Sequence, residues 1–217
     1  MYSLVVFDLD GTLCDTLADL ANAVNMALSS EGLPTHPLSS YNQFVGNGVN
    51  MLIKSALGDK AEDTELFDKV KAYFDSYYPQ HLCDYTVSYS GMVELLHTLT
   101  DKGVKTAVHS NKPHIYIDTI LSKLYPEHQF SIAWGQQERF ERKPSPQALN
   151  AMISEMGVDK ESVLYVGDSD VDVYTAHNAG VKVCGVEWGF RARDELISAG
   201  ADYTAKDASE LLSIIEG

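Results

Sequence analysis

The chain has 217 residues, of which 45% are hydrophobic and 22% are charged, and its formal net charge is −15. These proportions are typical of a globular protein, and the length suits one large domain or two smaller ones. The negative charge argues against nucleic acid as a partner, and no apolar run approaches the length that crosses a bilayer.

The cysteines and the opening residues predict a cytoplasmic protein. Cys14, Cys83 and Cys184 are odd in number, far apart and without the spacing of a metal site. We interpret them as small buried hydrophobic residues in a reducing compartment. The chain opens on an apolar segment without a basic stretch before it, so we expect no secretion.

The first apolar run ends in two carboxylates. Residues 3–8 predict a short buried strand, because Val, Leu and Phe dominate and a Gly-Thr turn follows. Asp8 and Asp10 then point to the same side, since side chains alternate along a strand. Two close carboxylates repel, so a metal ion or a shared catalytic proton explains the pair. A solvated strand end followed by a turn is the alternative.

A helical segment follows the first strand. Helical spacing of apolar residues predicts helices at 15–31, 38–45, 48–57 and 61–79. In the last of these, Leu66, Val70, Tyr73, Phe74 and Tyr77 form a stripe that we interpret as packing core. We expect residues 14–83 to form an all-α domain inserted into the rest of the chain, residues 1–13 and 84–217.

Helices and strands alternate in the remainder of the chain. The predicted helices lie at 91–102, 113–124, 146–156, 171–179, 191–199 and 207–215, and the predicted strands at 104–109, 130–134, 163–167, 181–186 and 202–204. Such alternation predicts an α/β fold with a Rossmann-like, doubly wound parallel sheet covered by helices on both faces.

Polar residues follow several of the predicted strands. Asp8 and Asp10 end the first, Ser110, Asn111 and Lys112 the second, and the segment from Asp168 to Asp172 a later one, while Lys143 stands ahead of a helix and is followed by Pro144 and Pro146. The carboxyl ends of parallel strands form the ligand-binding edge of such a sheet. Each fragment alone has an ordinary explanation: Ser-Asn-Lys as a turn, Gly-Asp-Ser as a helix cap, and Lys143 as an exposed charge. Their shared topological position favours an active site.

Four of these fragments resemble the signature motifs of the haloacid dehalogenase superfamily. They read Asp-Leu-Asp-Gly-Thr-Leu, Ser-Asn-Lys, Lys-Pro-Ser-Pro and Gly-Asp-Ser-Asp-Val-Asp. The resemblance implies the fold of that superfamily, with residues 14–83 as its helical cap. It also implies an Mg²⁺-dependent phosphatase that works through an aspartyl-phosphate.

The resemblance also assigns roles to individual residues. Asp8 is the expected nucleophile and Asp10 the expected general acid and base, while Ser110, Asn111 and Lys143 bind the phosphoryl group. Asp8, Asp168 and the main-chain carbonyl of Asp10 hold Mg²⁺, and Asp172 is an acid at or beside the metal. Asp170 occupies a variable position and is expected to cap a helix or face solvent.

Three further stretches are similar to the phosphoglycolate phosphatase branch of the superfamily. They are Thr16–Leu20, Phe44–Leu52 and Gly185–Phe190. Within the second, Gly46, Asn47 and Gly48 precede a helix, and free N–H groups at a helix start favour an anion such as a carboxylate. An ordinary boundary between two helices explains these glycines equally well.

Other activities stay open at this point. A pyrophosphatase, a nucleotidase or a sugar-phosphate phosphatase shares the four motifs, whereas a β-phosphoglucomutase or a non-catalytic scaffold fits less well. We expect a small phosphorylated metabolite as the substrate and a monomer or homodimer as the active form. His109 is expected to be a packed imidazole, Arg142 to be a surface charge or to add positive charge at the cleft, and Arg191 to begin a solvated helix.

Overall fold

The strands form a six-stranded parallel sheet and a separate two-stranded ribbon. The structure, a computed structural model, describes residues 1–217. The strands are β1 (Leu4–Phe7), β2 (Cys14–Asp15), β3 (Val87–Ser88), β4 (Lys105–Pro113), β5 (Ile132–Gln136), β6 (Val163–Gly167), β7 (Lys182–Val186) and β8 (Tyr203–Ala205). The large sheet has the order β5-β4-β1-β6-β7-β8, and all its neighbours are parallel.

Helices cover both faces of the sheet. They are α1 (Leu17–Ser30), α2 (Tyr41–Phe44), α3 (Val49–Leu57), α4 (Thr64–Tyr77), α5 (Met92–Asp101), α6 (Ile117–Leu124), α7 (Gln147–Met156), α8 (Asp170–Ala179), α9 (Arg193–Ala199) and α10 (Ala208–Glu216). No helix combines the length and apolar character needed to span a membrane. The predicted doubly wound α/β fold is confirmed.

Alternation along the strands builds a separate core on each face. Val5 and Phe7 of β1 pack in one hydrophobic cluster, and Leu4 and Val6 pack in the other. Helices α5, α6 and α10 cover the first face, and α7 and α8 cover the second. A strand that is buried on both sides has a continuous run of apolar residues, and such runs made β1 and β6 predictable from the sequence.

Helices α1 to α4 lie between the two short strands β2 and β3. Their apolar faces extend the first cluster, and Val70 and Phe74 of α4 are fully buried there. Tyr73 and Tyr77 of the predicted stripe are partly buried and stack on each other, with ring centroids 6.1 Å apart. The interpretation of this stripe as packing core is confirmed. The division of the chain into a cap and a core domain stays a prediction.

Strand β4 extends four residues further than the sequence predicts, through Ser110, Asn111 and Lys112 to Pro113. Its last residue pairs with Gln136 of β5 after an irregularity in the register. Gly135 permits this pairing, because a Cβ there would lie 2.4 Å from the main-chain oxygen of Lys112. The following helix therefore begins at Ile117 rather than at 113.

Candidate active site

The predicted site residues meet at the carboxyl edge of the central strands. Strands β4, β1 and β6 are neighbours in the sheet, so the residues that follow them come together. Asp8, Ser110, Asn111, Lys143 and Asp168 are all buried, each with at most 6% of its surface exposed. Burying this many polar groups is unfavourable unless they pair, so their partners define what the site can do.

Lys143 lies between two carboxylates. Its Nζ is 2.9 Å from Oδ1 of Asp8 and 2.7 Å from Oδ1 of Asp172, and 3.3 Å from the hydroxyl of Tyr165. Burial opposes the positive charge, but Asp172 and then Asp8 overcome this effect and raise the pKa of Lys143 well above its ordinary value. Lys143 is therefore a fixed cation beside Asp8, and the alternative of an exposed charge is wrong.

Asp8, Asp168 and Asp172 form an acidic cluster. One carboxylate oxygen from each lies within 4.8 Å of the other two. Burial raises the pKa of Asp8 to about 7 in spite of Lys143, and burial together with Asp172 and Asp8 raises the pKa of Asp168 well above its ordinary value. Such shifts show that negative charge here lacks sufficient compensation from the protein.

The donor set of this cluster fits a divalent cation. Oδ1 of Asp8 is buried, forms an ion pair with Nζ of Lys143 at 2.9 Å and accepts no further hydrogen bond within the protein. Asp168 accepts one short hydrogen bond, from the N–H of Phe190 at 2.7 Å. Hard oxygen ligands with free lone pairs are what Mg²⁺ and Ca²⁺ prefer.

Asp172 is bound by protein groups on both oxygens. Oδ1 accepts from Lys143, and Oδ2 accepts from the hydroxyl of Ser169 at 2.7 Å and from its N–H at 3.1 Å. The bond from the Ser169 N–H is one half of a capping box at the start of α8, in which the Asp172 N–H donates to the Ser169 side chain in return. Asp172 is expected to lie either at the metal or beside it. Because protein groups bind both of its oxygens, the geometry favours the second role, in which Asp172 holds Lys143 in place. Asp170 is the first residue of α8 and is half-buried.

Asp10 points away from the acidic cluster. Its Oδ1 accepts from the hydroxyl of Thr16 at 2.7 Å and from Nζ of Lys112 at 2.9 Å. This arrangement leaves its main-chain carbonyl and its carboxyl group free for separate tasks, as the resemblance implies. Whether that carbonyl binds the metal stays a prediction.

Lys112 belongs to the site, although the sequence analysis gave it no role. It is only 4% exposed, and besides Asp10 its Nζ contacts the hydroxyl of Tyr78 at 2.7 Å. Because β4 continues through these residues, Lys112 and Ser110 stand on the same side of the strand. The sequence predicts that this strand ends at residue 109, so the shared side of Ser110 and Lys112 does not follow from that prediction.

The side chain of Asn111 connects two loops. Its Oδ1 accepts from the N–H of Lys143 at 3.0 Å, and its Nδ2 donates to the carbonyl of Gly46 at 3.1 Å. Asn111 therefore fixes the loop that carries Lys143 and contacts the helical segment. Its expected contact with a phosphoryl group stays a prediction.

A cavity of about 30 Å³ lies between the sheet edge and the helical segment. Its lining includes Asp8, Asp10, Ser110, Asn111, Lys112 and Tyr78, together with Gly46 and Gly48 of the loop before α3. Asn47 of the same loop is exposed and does not line it. Of the residues predicted to act in catalysis, phosphate binding or metal binding, Asp8, Asp10, Ser110 and Asn111 line the cavity. Lys143, Asp168 and Asp172 do not line it, and they lie next to Asp8.

The expectation that Arg191 begins a solvated helix is wrong. Helix α9 begins at Arg193, and Arg191 lies in the preceding turn with 7% of its surface exposed. Its Nη2 donates to the carbonyl of Val45 at 3.0 Å, so it binds the loop before α3. Charge alone suggested an exposed residue, because the contact joins parts of the chain that are distant in sequence.

His109 and Arg142 lie where they were expected. The imidazole of His109 is 4% exposed, and its Nδ1 is 3.3 Å from the hydroxyl of Tyr165. Burial and the nearby charge of Lys143 lower the pKa of His109 well below its ordinary value, so the ring is neutral. Arg142 is exposed at the loop that contains Gly48.

The fold and this arrangement of carboxylates and lysines define a hydrolase of the superfamily that the motifs resemble. A family model described as haloacid dehalogenase-like hydrolase matches residues 5–186. The chain belongs to this family.

Relatives within the family are phosphatases. A phosphoglycolate phosphatase of Haemophilus influenzae (strain 86-028NP) is 35% identical over 99% of this chain and 98% of its own length. The crystal structure of a predicted phosphoglycolate phosphatase from Haemophilus somnus 129PT is 32% identical, with a TM-score of 0.90 over 98% of this chain and 97% of that one. A crystal structure from Lactobacillus delbrueckii subsp. bulgaricus superposes with a TM-score of 0.92 at 30% identity, covering 99% of this chain and 98% of that one. The prediction of a phosphatase similar to these proteins is confirmed.

Proposed function

We propose that the protein is an Mg²⁺-dependent phosphomonoester hydrolase that acts on phosphoglycolate through an aspartyl-phosphate. The observation that carries this proposal is the fixed Lys143 between Asp8 and Asp172, with carboxylate oxygens of Asp8 and Asp168 within 4.8 Å of each other. The full-length similarity to phosphoglycolate phosphatases supports the choice of substrate.

The acidic cluster would hold Mg²⁺ through Asp8, Asp168 and the main-chain carbonyl of Asp10. Bound there, the ion would supply positive charge that offsets the repulsion between a carboxylate and a phosphate. The residues fit this task, because the raised pKa values of Asp8 and Asp168 report negative charge without sufficient compensation.

Asp8 would attack phosphorus with its carboxylate and form an aspartyl-phosphate, which divides the hydrolysis into two displacements. Lys143 would bind a phosphoryl oxygen from the position that Asp172 fixes. The hydroxyl of Ser110 and the main chain at Asn111 would donate to the remaining oxygens.

Asp10 would protonate the leaving alkoxide and then take a proton from the attacking water. Its carboxyl group faces the cavity side of the site and is held there by Thr16 and Lys112. The neutral hydroxyl of Thr16 and the cation of Lys112 keep the group in one orientation through both steps.

We favour phosphoglycolate over sugar phosphates and nucleotides, because relatives that match this chain over its whole length are phosphoglycolate phosphatases.

Residues 14–83 would act as a cap that closes over this cavity, with residues 1–13 and 84–217 as the core. The N–H groups of Gly46, Asn47 and Gly48 donate to no main-chain acceptor, and they precede α3. Those of Gly46 and Gly48 would be available to the substrate's carboxylate at the cavity wall. A cytoplasmic location and a monomeric or homodimeric form remain predictions.

A substrate panel at one fixed Mg²⁺ concentration tests the proposed function. The panel contains phosphoglycolate, glucose 6-phosphate, β-glucose 1-phosphate, AMP, pyrophosphate and p-nitrophenyl phosphate. We expect the highest kcat/KM for phosphoglycolate and no activity after EDTA treatment. A higher kcat/KM for another metabolite would replace the proposed substrate, and inertness toward every compound would contradict a phosphatase.

A further inference from the structure

Lys112 is a buried cation that the proposed reaction does not use directly. Its side chain lies between Asp10, at 2.9 Å, and the hydroxyl of Tyr78, at 2.7 Å, and its Nζ is 5.0 Å from the centre of the Tyr78 ring. Its ion pair with Asp10 places a positive charge at the wall of the cavity.

The two buried lysines of the site differ in how fully they are neutralised. Lys143 has two carboxylate partners, Asp8 and Asp172, whereas Lys112 has one, Asp10, and a neutral phenol. An ammonium group has three N–H donors, and the two contacts of Lys112 use only two of them. Lys112 lines the cavity, so its third donor is the one available to a ligand there.

The position of Lys112 relates it to one part of the substrate. Asp10 would donate its proton to the oxygen that leaves phosphorus, and Lys112 is hydrogen-bonded to that same carboxyl group. In phosphoglycolate the carboxylate carbon is two bonds from the leaving oxygen. A cation that touches Asp10 is therefore placed beside the carboxylate of such a substrate.

From this arrangement we propose that Lys112 is a specificity residue that binds a carboxylate carried next to the scissile ester oxygen. This inference rests on the proposed function and names the residue that selects the substrate. Tyr78 positions the ammonium group by accepting one of its N–H donors, and because Tyr78 comes from the helical segment, the subsite needs both parts of the chain.

The test compares two substrates that differ only in the carboxylate. Phosphoglycolate and 2-hydroxyethyl phosphate share the phosphate and the first carbon, and the second replaces the carboxylate with a neutral CH₂OH group. We expect Lys112→Gln to lower the kcat/KM ratio of the two substrates at least tenfold, chiefly through a higher KM for phosphoglycolate. Lys112→Arg should keep the ratio within about threefold, because it keeps the charge.

A role of Lys112 through Asp10 alone gives a different result. Loss of that contact slows both substrates equally, so the ratio of Lys112→Gln would stay at the wild-type value, and this outcome would overturn the proposal. Lys54→Gln, at a half-buried position of α3 outside the cavity, is the matched control and should behave as wild type. A wild-type enzyme that shows no preference between the two substrates would contradict the proposed function itself.

Binding without turnover provides a second readout. Calorimetry with the Mg²⁺-loaded protein compares 3-phosphonopropionate, which keeps the carboxylate, with propylphosphonate, which lacks it. We expect Lys112→Gln to weaken the first at least tenfold and the second less than threefold, and equal losses would overturn the proposal. Should Lys112→Gln fail to fold, Lys112→Met replaces it, because it keeps the length of the buried chain without introducing a buried amide.

Discussion

The carboxylate of Asp19 accepts hydrogen bonds from the main-chain N–H group of Thr86 at 2.8 Å and from its hydroxyl at 2.7 Å. The N–H group of Tyr85 donates to the same carboxylate at 3.0 Å. Asp19 lies in the first turn of α1, just after β2, and Thr86 immediately precedes β3. This buried side chain therefore joins the two connections between the helical segment and the sheet.

Loss of the Asp19 carboxylate should weaken that junction. Asp19→Ala leaves the buried N–H and hydroxyl of Thr86 and the partly buried N–H of Tyr85 without an acceptor, so we expect the free energy of unfolding to fall by about 3 kcal/mol. Urea unfolding followed by circular dichroism measures the change. Asp101→Ala, at the exposed end of α5, is the control and should change stability by less than about 0.5 kcal/mol. Equal effects of the two substitutions would contradict the role of Asp19.

The sequence predicted the sheet because its strands carry the strongest local signals. Strands such as β1 and β6 are buried on both faces, so a continuous apolar run marks each of them. The ribbon of β2 and β3 was missed because each strand has two residues and depends on pairing between distant parts of the chain. A strand can therefore be predicted when its own residues form a long apolar run, and it is missed when it is short and depends on a partner that is distant in sequence.

The same distinction applies to the candidate site. Asp8, Asp10 and Asp168 could be identified because they follow apolar runs, which fixes their place at the sheet edge. Lys112 and Arg191 could not, because what makes each of them special is a partner from the helical segment, Tyr78 or Val45. A charged residue near a turn is usually exposed, and only the fold reveals the exceptions.

Replacement of the proposed nucleophile should abolish turnover and preserve the fold. Asp8→Asn has the same shape but cannot form an acyl phosphate by carboxylate attack, so we expect less than about 1% of wild-type kcat. Stability should be equal or higher, because burial disfavours the Asp8 charge and raises its pKa to about 7. Asp170→Asn, at the start of α8, is the control and should keep kcat within about threefold. Activity of Asp8→Asn above about 1% would contradict a nucleophilic role.

Mg²⁺ should stabilise the protein as well as activate it. A ligand that binds only the folded state, with a dissociation constant of about 1 mM, contributes about 1.4 kcal/mol at 10 mM. For a chain of this size that corresponds to a rise in Tm of about 4 °C, which differential scanning fluorimetry measures. Asp168→Asn removes one ligand and should abolish the rise. An unchanged Mg²⁺ response in Asp168→Asn would place the ion elsewhere.

Gly11 allows the chain to pass close to Asp168. It has a φ of +87°, and a Cβ there would lie 2.2 Å from Oδ2 of Asp168. Gly11→Ala should therefore displace Asp168, weaken the Mg²⁺ response and lower kcat/KM at least tenfold. Gly103→Ala is the matched control, since Gly103 also has a positive φ, +71°, but nothing lies within 4 Å of its Cβ position. The control should lose about 1 kcal/mol of stability and keep its activity; equal activity losses in both variants would exclude the contact with Asp168 as the cause.

His109 should make stability depend on pH below neutrality. Its pKa is lowered well below 6.5 in the folded state by burial and by Lys143, so on acidification the unfolded chain takes up the proton first. The folded state then binds fewer protons, and the free energy of unfolding falls as the pH drops below about 6.5. At pH 5.5 this amounts to about 1.4 kcal/mol relative to neutral pH.

His109→Gln should lose this component in urea unfolding measured from pH 7.5 to 5.5, whereas His97→Gln, at an exposed position of α5, should follow the wild type. Parallel pH profiles for wild type and His109→Gln would show that the imidazole is not held neutral in the fold.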